Sequence, residues 1–537
     1  MQINYRLAGP RPDHIMLGFS GDPRTEITVT WRTDTSVADG FVEYREAGSD
    51  QKFTAEAIMK PFTGDVSTSH IFWAKLTGLK PGAKYCYTCG GAGVRSAEYS
   101  FSTQEEICDD FTFLLLADHQ KDDCHENPDY KPFNKLLKRV LSEHPEVRFI
   151  LTLGDNTNCG QHEIQWNAMF EGMEGVIERL PYMMSCGNHD NRGFKQYFPI
   201  EQGRYYAEPA EFFNAQLEYS YTKNGPAGWE PENYAFDYGN CHFTVYGVNE
   251  PELVNAWSMN DLDGTDKTWK LGVYHFPIYP SIPEGHNFDA YPYLRPAMER
   301  QDILFAGHEH NFARTFPIRG DNIYDRPSQG TVHYMLGSSN DNPPCGSMQK
   351  IWHAAFCPQE EHVSMFGLVH VSREKIHITG FFDDGRIVDD FTLDKTRDTI
   401  TPTAVAPKYS RTRLTFKGVD IGLAMRETIP VFKDGTWFIP FGTLAAFAGG
   451  TVERTKDKIR IEFYGHFAEY TCGSAVAETD AGELDLKHEV FRGAREQLFI
   501  PIDGACTPFK MRWTYAADTN YIDIQNEDEA KPAAKQP

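Results

Sequence analysis

Leu151-Thr-Leu-Gly-Asp-Asn-Thr-Asn158 is an apolar run that passes directly into a glycine and an aspartate. The pattern predicts a buried strand that ends at Gly154 and holds the carboxylate of Asp155 rigidly at the edge of a sheet. In α/β sheets this edge faces the cleft where the chemistry takes place. Four further predicted strand ends carry side chains of the kinds that bind metals: Asp118 with Gln120, Asn188 with His189, His275, and His308 with His310. One Gly-Asp pair would indicate little, but five strand ends in series predict a site.

The length and charge of the chain limit what it can be. Its 537 residues are too many for one core and suggest roughly three or four domains. The formal net charge of −24 opposes binding to a nucleic acid polymer, which requires clustered Lys and Arg. A small phosphorylated substrate remains compatible with this charge, because bound divalent metals reverse the local field.

The sequence also carries expectations about location. Residues 1–20 lack the apolar segment of a signal peptide, and no run is long enough for a transmembrane helix. We therefore expect a cytoplasmic protein as the sequence is written. The flanking domains favour the alternative, an extracellular or cell-surface protein whose leader has been removed. The sequence leaves the oligomeric state open.

Residues 1–104 have the pattern of an all-β domain. Ile27, Val29 and Trp31 alternate with threonines, and Gly and Pro separate the predicted strands. The segment Leu79-Lys-Pro-Gly-Ala-Lys-Tyr85 resembles the fibronectin type III turn that precedes a buried corner tyrosine, here Tyr85. We expect a β-sandwich without chemistry of its own.

Between residues 108 and 395 strand and helix signals alternate. Two apolar stripes at helical spacing, which start at Phe133 and Trp166, predict helices that pack on the sheets. The predicted strands are at 111–117, 148–153, 182–186, 241–248, 270–274 and 303–306. This alternation predicts an α/β (α+β) domain with two packed mixed sheets flanked by helices in four layers.

The remaining sequence predicts a linker, a small domain and a tail. Residues 396–410 read as a linker, and residues 526–537 have a composition typical of disorder. Between them, at 411–525, Phe438-Ile-Pro-Phe441 is echoed by Phe499-Ile-Pro-Ile502, and each copy is followed by a β signal. This α+β repeat resembles the stalk domain of bacterial surface proteins that is related to the N-terminal domain of copper amine oxidase. It has no cluster of copper ligands.

The strand-end residues suit phosphoester hydrolysis. Two metals about 3.5–4 Å apart bind the phosphate between them and lower the pKa of a bound water. Such a pair requires a shared carboxylate, with imidazole and amide ligands around it. The chain supplies that set at consecutive strand ends, in Asp118, Asp155, Asn188, His275, His308 and His310.

The motifs resemble a known family. Ala117-Asp-His-Gln120, Gly154-Asp155, Gly187-Asn-His-Asp190, Val273-Tyr-His275 and Gly307-His-Glu-His310 are similar to the calcineurin-like metallophosphoesterase signature. Their context is most similar to the purple acid phosphatase branch, and the likeness covers roughly the first three quarters of the chain.

The resemblance implies roles for these residues. One metal would be bound by Asp118, Gln120, Asp155 and His310, and the other by Asp155, Asn188, His275 and His308. Asp155 would then bridge the two ions. Asn188 and His189 would contact the phosphoryl group, and His189 would protonate the leaving oxygen.

Two positions depart from the family pattern. Asn158 occupies the position at which purple acid phosphatases have the tyrosine that binds ferric iron, so a ferric–tyrosinate site is not expected. Gln120 offers an amide oxygen, which suits Mn²⁺, Mg²⁺ or Fe²⁺ as well as Zn²⁺. Gln120 could instead support the ligands by hydrogen bonds. Arg314 either orients the phosphate or pairs with a nearby acid, and Asp190 either supports His189 or caps a turn.

These observations predict a dinuclear phosphomonoesterase in which a metal-bound hydroxide attacks phosphorus. One alternative is a phosphodiesterase or nucleotide hydrolase with the same site. Another is a surface binding protein whose site has decayed. The substrate depends on loops such as 201–232 and 279–293, whose shape the sequence does not give.

Overall fold

The structure is a computed structural model. It describes residues 4–91, 93–121, 128–191, 210–281, 291–320, 322–342, 349–350, 352–359, 363–402, 412–420, 430–493, 497–517 and 520–526. The predicted tail beyond Asn526 and large parts of the two substrate loops, 201–209 and 282–290, lie outside these residues. The chain forms two compact units, the first mainly from residues up to 405 and the second mainly from residues 406 onward.

The first unit begins with the predicted β-sandwich. Its two four-stranded sheets have the orders β1-β2-β6-β5 and β4-β3-β7-β8. Trp31 and Phe72 stack in the core between them, with ring centroids 5.2 Å apart. Tyr85 is buried and its hydroxyl accepts a hydrogen bond from the Lys80 N–H at 2.9 Å, as expected for a corner tyrosine. The strands are β1 (Asp13–Gly18), β2 (Ile27–Asp34), β3 (Phe41–Glu46), β4 (Lys52–Glu56), β5 (Ile58–Thr63), β6 (Thr68–Leu76), β7 (Lys84–Gly90) and β8 (Tyr99–Ser102).

The α/β domain follows with two seven-stranded mixed sheets, as predicted. Their orders are β11-β10-β9-β21-β22-β23-β24 and β12-β13-β14-β15-β19-β16-β20. The strands are β9 (Asp110–Leu116), β10 (Val147–Thr152), β11 (Tyr182–Met183), β12 (Tyr234–Tyr238), β13 (Cys241–Tyr246), β14 (Trp269–Tyr274), β15 (Ile303–Ala306), β16 (Asn311–Thr315), β17 (Ile318–Arg319), β18 (Asn322–Ile323), β19 (Val332–Met335), β20 (His353–Pro358), β21 (Met365–Ser372), β22 (Lys375–Phe382), β23 (Ile387–Asp394) and β24 (Thr399–Pro402). The helices are α1 (Lys131–Glu143), α2 (Glu163–Gly172), α3 (Glu211–Leu217), α4 (Pro251–Gly264) and α5 (Tyr291–Met298).

The two sheets pack face to face through aromatic side chains. Phe113 on β9 meets Phe243 on β13 edge to face at 5.5 Å, and it meets Phe305 on β15 in the same way at 6.3 Å. Strands β9, β10 and β11 are parallel in one sheet, and β13, β14, β15 and β19 are parallel in the other. Because parallel strands end at the same edge of a sheet, this arrangement gathers the residues that follow them.

Two predicted boundaries were wrong. Part of the predicted linker is strand β24, which pairs with β23 in the first sheet. Its Thr and Pro content suggested a connection, but strand pairing decides its structure. The second helical stripe also ends earlier than predicted, because α2 stops at Gly172 and Gly175 has a φ of +84°. Met173, Val176 and Ile177 of that stripe are nevertheless buried.

His242 at the start of the second sheet predicts a pH dependence of stability. Burial opposes its charged form, but hydrogen bonds to Asp237 and Asp261, each 2.8 Å long, raise the pKa of His242 to about 9. Because the pKa of His242 is higher in the folded protein than in the unfolded chain, protonated His242 stabilises the fold. This stabilisation is complete below about pH 6.5 and is lost as the pH rises toward 9. We expect the free energy of unfolding to fall by about 2–3 kcal/mol over this range. Urea unfolding of wild type and His242→Asn tests this, and parallel pH curves for the two proteins would contradict it.

The second unit contains the predicted repeat. In each copy a strand leads into a short helix, β28 into α6 and β35 into α7, and the two strands pair antiparallel with Ile439 opposite Ile500. Its sheets have the orders β26-β25-β37-β36, β27-β28-β35-β34 and β29-β30-β31-β32-β33. The elements are β25 (Arg413–Phe416), β26 (Val419–Asp420), β27 (Val431–Lys433), β28 (Thr436–Ile439), α6 (Phe441–Phe447), β29 (Thr451–Arg454), β30 (Lys458–Phe463), β31 (His466–Thr471), β32 (Val476–Thr479), β33 (Gly482–Asp485), β34 (Phe491–Arg492), β35 (Leu498–Pro501), α7 (Ile502–Cys506), β36 (Met511–Ala516) and β37 (Tyr521–Asn526). In the part of the chain that the structure describes, no helix of either unit has the length and apolar character needed to cross a membrane.

Candidate metal centre

Three of the sequence-predicted ligands converge between the two sheets. Asp155, His275 and His308 follow β10, β14 and β15, and their ligand atoms all lie within 4.8 Å of one another. The side-chain oxygen of Asn188 lies 2.9 Å from His275 Nε2 and 3.0 Å from His308 Nδ1. Two imidazoles, a carboxylate and an amide oxygen thus face one small volume, which is a donor set that fits a divalent cation.

The ring of His275 is oriented for this role. Its Nδ1 donates to the Leu153 carbonyl at 2.8 Å, and its Nε2 lies 3.2 Å from Asp155 Oδ2. A histidine that donates one ring N–H to a main-chain carbonyl presents the other nitrogen to a metal. Phe276 helps to position this ring and that of His308, because its ring lies 5.2 Å from the first and 4.7 Å from the second. No sequence motif indicated this role of Phe276.

Asp118 and His310 form a second pair of predicted ligands. His310 Nε2 lies 3.6 Å from Asp118 Oδ1, and the carboxylate of Asp118 also accepts the His308 N–H at 2.8 Å. The segment of Asp118 lies against that of Asp155, because the Asp118 N–H donates to the Gly154 carbonyl at 3.2 Å. The predicted ligands therefore belong to one connected set of loops.

The backbone of the ligands is strained. Asp118, Asp155, His308 and His310 have φ values of 46°, 52°, 76° and 49°, in the left-handed region that non-glycine residues rarely adopt. Such conformations cost about 1–3 kcal/mol each and persist only where surrounding contacts fix them. Four of them among the predicted ligands indicate that the fold holds these side chains in positions that relaxed loops would not give.

The glycines of the motifs are explained by close packing. A Cβ on Gly187 would lie 2.2 Å from Asp155 Oδ1, and a Cβ on Gly307 would lie 2.4 Å from Asp118 Oδ2. The glycine before each ligand therefore makes room for a carboxylate from another loop.

His189 is held by the residue that departs from the family pattern. Its Nδ1 faces the side-chain oxygen of Asn158 at 2.7 Å and the main-chain oxygen of Asn158 at 3.0 Å. Both atoms are acceptors, so Nδ1 carries a proton. The main-chain N–H of His189 donates to Asp155 Oδ1 at 2.7 Å, and Nε2 lies 3.8 Å from Asp155 Oδ2. Asn158 thus turns Nε2 of His189 toward the metal ligands.

Asp190 links two ligand loops. Its carboxylate is buried and accepts from the N–H groups of Asn156 at 2.9 Å, Thr157 at 3.0 Å and Gly187 at 2.8 Å. Burial raises the pKa of Asp190 to about 7. These contacts tie the loop after Asp155 to the loop before Asn188, a role that neither of the two sequence interpretations of Asp190 included.

Gln120 is oriented by the main chain of the ligands. In the orientation that satisfies its hydrogen bonds, its amide nitrogen donates to the carbonyls of Asp155 at 2.9 Å and Asp118 at 3.0 Å. This geometry supports a role in holding the ligand loops. The side chain of His119, between Asp118 and Gln120, points elsewhere, and its Nε2 pairs with the Tyr182 hydroxyl at 2.9 Å.

Burial and neighbouring charges shift the pKa values of the predicted ligands in opposite directions. Burial tends to raise the pKa of Asp155, but the imidazoles of His275 and His189 outweigh it and hold this pKa below its usual range. Burial lowers the pKa of His275, yet the carboxylate of Asp155 raises it to about 9. Burial raises the pKa of Asp118 to about 6 despite the nearby imidazoles of His310 and His275. A cation would replace the protons that these groups share.

Arg314 does not have the geometry expected for a phosphate ligand. Its guanidinium is buried, donates to Asp389 at 2.6 Å and 3.2 Å, and stacks on Phe391 at 4.3 Å. The structure therefore favours the other interpretation of Arg314, an ion pair with an acid. The sequence could not decide this, because the acid lies 75 residues away.

The ion-pair role makes a prediction. Arg314→Met leaves Asp389 buried without its charge partner, so we expect a loss of about 3–5 kcal/mol in unfolding free energy. The double variant with Asp389→Asn should recover part of this loss, and KM for a phosphomonoester should remain that of wild type. Denaturant unfolding and steady-state kinetics measure these effects. A raised KM at unchanged stability would contradict the ion-pair role.

Comparison with known proteins agrees with this geometry. Residues 12–103 match the family model of the purple acid phosphatase N-terminal domain, and residues 111–312 match that of the calcineurin-like phosphoesterases. The chain is 23% identical over 371 residues to a probable inactive purple acid phosphatase 27 of Arabidopsis thaliana, covering 59% of each chain. It is 24% identical over 433 residues to acid phosphatase type 7 of Mus musculus, covering 71% of this chain and 90% of the mouse protein.

The fold is also that of a solved relative. The structure of purple acid phosphatase PPD1 from yellow lupin seeds superposes with a TM-score of 0.59 at 18% identity, over 72% of this chain and 75% of the lupin chain. The chain spans 59% of the length of the Arabidopsis relative. The sandwich, the two mixed sheets and both family matches agree, and the chain belongs to the purple acid phosphatase-like branch of the calcineurin-like metallophosphoesterases.

Proposed function

We propose that this protein is a dinuclear metal-dependent phosphoester hydrolase that acts on a small phosphomonoester. The observation that carries the proposal is the convergence of Asp155, His275 and His308 within 4.8 Å, with the oxygen of Asn188 between the two imidazoles. Burying the Asp155 carboxylate beside these imidazoles costs desolvation free energy. A purely structural role would not require polar groups at this position.

We propose that these residues hold two ions. One would be held by Asp155, Asn188, His275 and His308, and the other by Asp118, Asp155 and His310, with Gln120 holding the loops that carry them. Asp155 would then be shared. Oxygen and imidazole donors suit Mn²⁺, Zn²⁺, Fe²⁺ or Mg²⁺. Asn158 bonds His189, so this position supports no ferric–tyrosinate site. When bound, the ions would supply charge neutralisation at the phosphoryl oxygens and an activated water.

The chain's own residues supply the rest of the chemistry. The Asn188 amide, whose oxygen lies 2.9 Å and 3.0 Å from the two imidazoles, would contact a cation and a phosphoryl oxygen. His189, whose Nδ1 proton is held by Asn158, directs Nε2 toward the ligands, where it can hold a proton for the leaving oxygen. Asp155 accepts the main-chain N–H of His189 and so fixes the distance between the bridging carboxylate and this proton donor.

The experiment that tests the proposal combines metal content with turnover. Purified protein should contain up to two divalent ions per chain and hydrolyse 4-nitrophenyl phosphate in added Mn²⁺, with bis(4-nitrophenyl) phosphate as the poorer substrate. Preference for the diester would replace the monoesterase proposal with a phosphodiesterase. Fewer than one ion per chain together with no hydrolysis would refute the proposed function.

His189→Gln separates a working site from a decayed one. The substitution removes the proton donor but leaves the metal ligands in place, so we expect kcat to fall by about 10²-fold with metal content unchanged. The reduction should be smaller for a substrate with a better leaving group, which needs less help from an acid. A variant that matches wild type with every leaving group would show that His189 has no role in the reaction.

A further inference from the structure

A segment that no sequence motif singled out holds the first ligand loop. Residues 338–342 follow β19, and Ser338, Asn340 and Asn342 are 0%, 3% and 1% exposed. They lie against residues 117–120, which carry Asp118 and Gln120 but belong to no strand or helix. We call residues 338–342 the 338–342 clamp.

The clamp bonds four consecutive main-chain carbonyls of the ligand loop. Ala117 O accepts the Ser339 N–H at 2.8 Å, and His119 O accepts from Asn340 Nδ2 at 2.9 Å. Asp118 O accepts from Ser338 Oγ at 2.7 Å and from Asn342 Nδ2 at 2.8 Å, and Gln120 O accepts from Asn342 Nδ2 at 2.7 Å. Three side chains from about 220 residues away thus replace the pairing that a strand or helix would provide.

Asp118 is the residue that needs this support. Its φ of 46° is strained, and its carbonyl receives the Gln120 amide at 3.0 Å in addition to the two clamp donors. Strained backbone persists only where surrounding contacts fix it. Without the clamp, the peptide after Asp118 could rotate toward a relaxed conformation and carry the carboxylate and Gln120 away from Asp155.

We infer that Ser338, Asn340 and Asn342 are positioning residues that set the affinity of the ion held by Asp118 and His310. The inference rests on the proposed function. The hydrogen bonds described for Ser338, Asn340 and Asn342 reach the ligand loops at residues 117–120. The direct influence of the clamp is therefore on the ion beside Asp118, and the ion held by Asn188, His275 and His308 is affected less. Residues that orient ligands typically contribute 10–100-fold to metal affinity.

Asn342 provides the sharpest test, because one amide serves two carbonyls. Asn342→Asp keeps the shape but turns the donor into an acceptor, and Asn342→Ala removes it. Calorimetric titration of metal-stripped protein with Mn²⁺ should show two ions in wild type. In both variants we expect one affinity to fall by about 10–100-fold and the other to stay unchanged. The spin-coupled dinuclear signal in electron paramagnetic resonance should give way to that of a single Mn²⁺.

Asn233 offers a matched control. It is fully buried in the same unit, and it donates to Trp229 O at 2.9 Å and accepts from Gly247 N at 2.7 Å. Asn233→Ala should destabilise the protein to a similar degree but retain both Mn²⁺ affinities. If Asn342→Ala does not fold, Ser338→Ala removes one bond to the ligand loop, together with the hydroxyl that accepts from Asn340 N and Asn342 Nδ2 within the clamp. It should weaken the same ion to a smaller extent.

The outcomes separate the two proposals. Wild-type protein that binds two ions, with both affinities unchanged in Asn342→Ala, Asn342→Asp and Ser338→Ala, would overturn the clamp's role alone. Equal weakening of both ions in every clamp variant would also overturn it, because that pattern indicates general destabilisation. Wild-type protein that binds fewer than two ions in this titration would overturn the dinuclear part of the proposed function, and the clamp's role with it.

Discussion

Asp155→Asn is expected to eliminate the dinuclear centre and to lower kcat/KM by at least about 10⁴-fold, or roughly 5–6 kcal/mol of transition-state stabilisation. An amide can keep the oxygen that accepts the His189 N–H at 2.7 Å. It then places an NH₂ group where Oδ2 faces His275 Nε2 at 3.2 Å, and an NH₂ group does not bind a cation. The variant also removes the one negative charge that both ions would share.

The measurements are metal content by mass spectrometry and turnover of 4-nitrophenyl phosphate. Asp302→Asn is the matched control, because this half-buried aspartate pairs with Lys395 at 2.7 Å and is not among the predicted ligands. This control should keep its metals even if its stability falls. An Asp155→Asn protein that holds two ions and hydrolyses substrate at the wild-type rate would exclude Asp155 as the bridge.

Gly187→Ala is expected to have the second-largest effect, although it removes no functional group. The added Cβ would lie 2.2 Å from Asp155 Oδ1 and 2.3 Å from the Asp155 main-chain nitrogen, so main-chain atoms must move. Both Asp155 and Asn188 are then displaced. Misplacement of reacting groups by about 1 Å can cost 10²-fold, and loss of ions adds to it, so we expect kcat/KM to fall by at least about 10³-fold.

Overpacking of this kind should also lower the unfolding free energy by about 1–3 kcal/mol. Gly264→Ala is the control, because a Cβ at the end of α4 meets no atom within 4 Å. It should leave turnover unchanged and stability equal or slightly higher. Wild-type metal content and turnover in Gly187→Ala would show that the loops around Asp155 are not closely packed in solution.

Much of the fold could be predicted because its signals are local. The alternation of threonines with apolar residues gave the sandwich, and the apolar runs at 111–117 and 148–153 gave central strands of the first sheet. The errors arose where local composition and tertiary pairing disagree. Thr399–Pro402 has a linker's composition yet completes the sheet beside β23, and α2 ends at Gly172 although the apolar spacing continues.

The sequence by itself determined which strand ends carry the predicted ligands and in what order, because a strand that ends in Gly-Asp or Gly-Asn-His places that side chain at the sheet edge. Only the tertiary structure decided which residues assist them. In the folded chain Arg314 pairs with Asp389, and Asn158 orients the ring of His189. Phe276 packs against the rings of His275 and His308, and the 338–342 clamp bonds Asp118. The partners in these hydrogen bonds are up to about 220 residues apart in the chain, so their pairing depends on how the sheets pack. Periodicity within a short window of sequence carries no information about sheet packing.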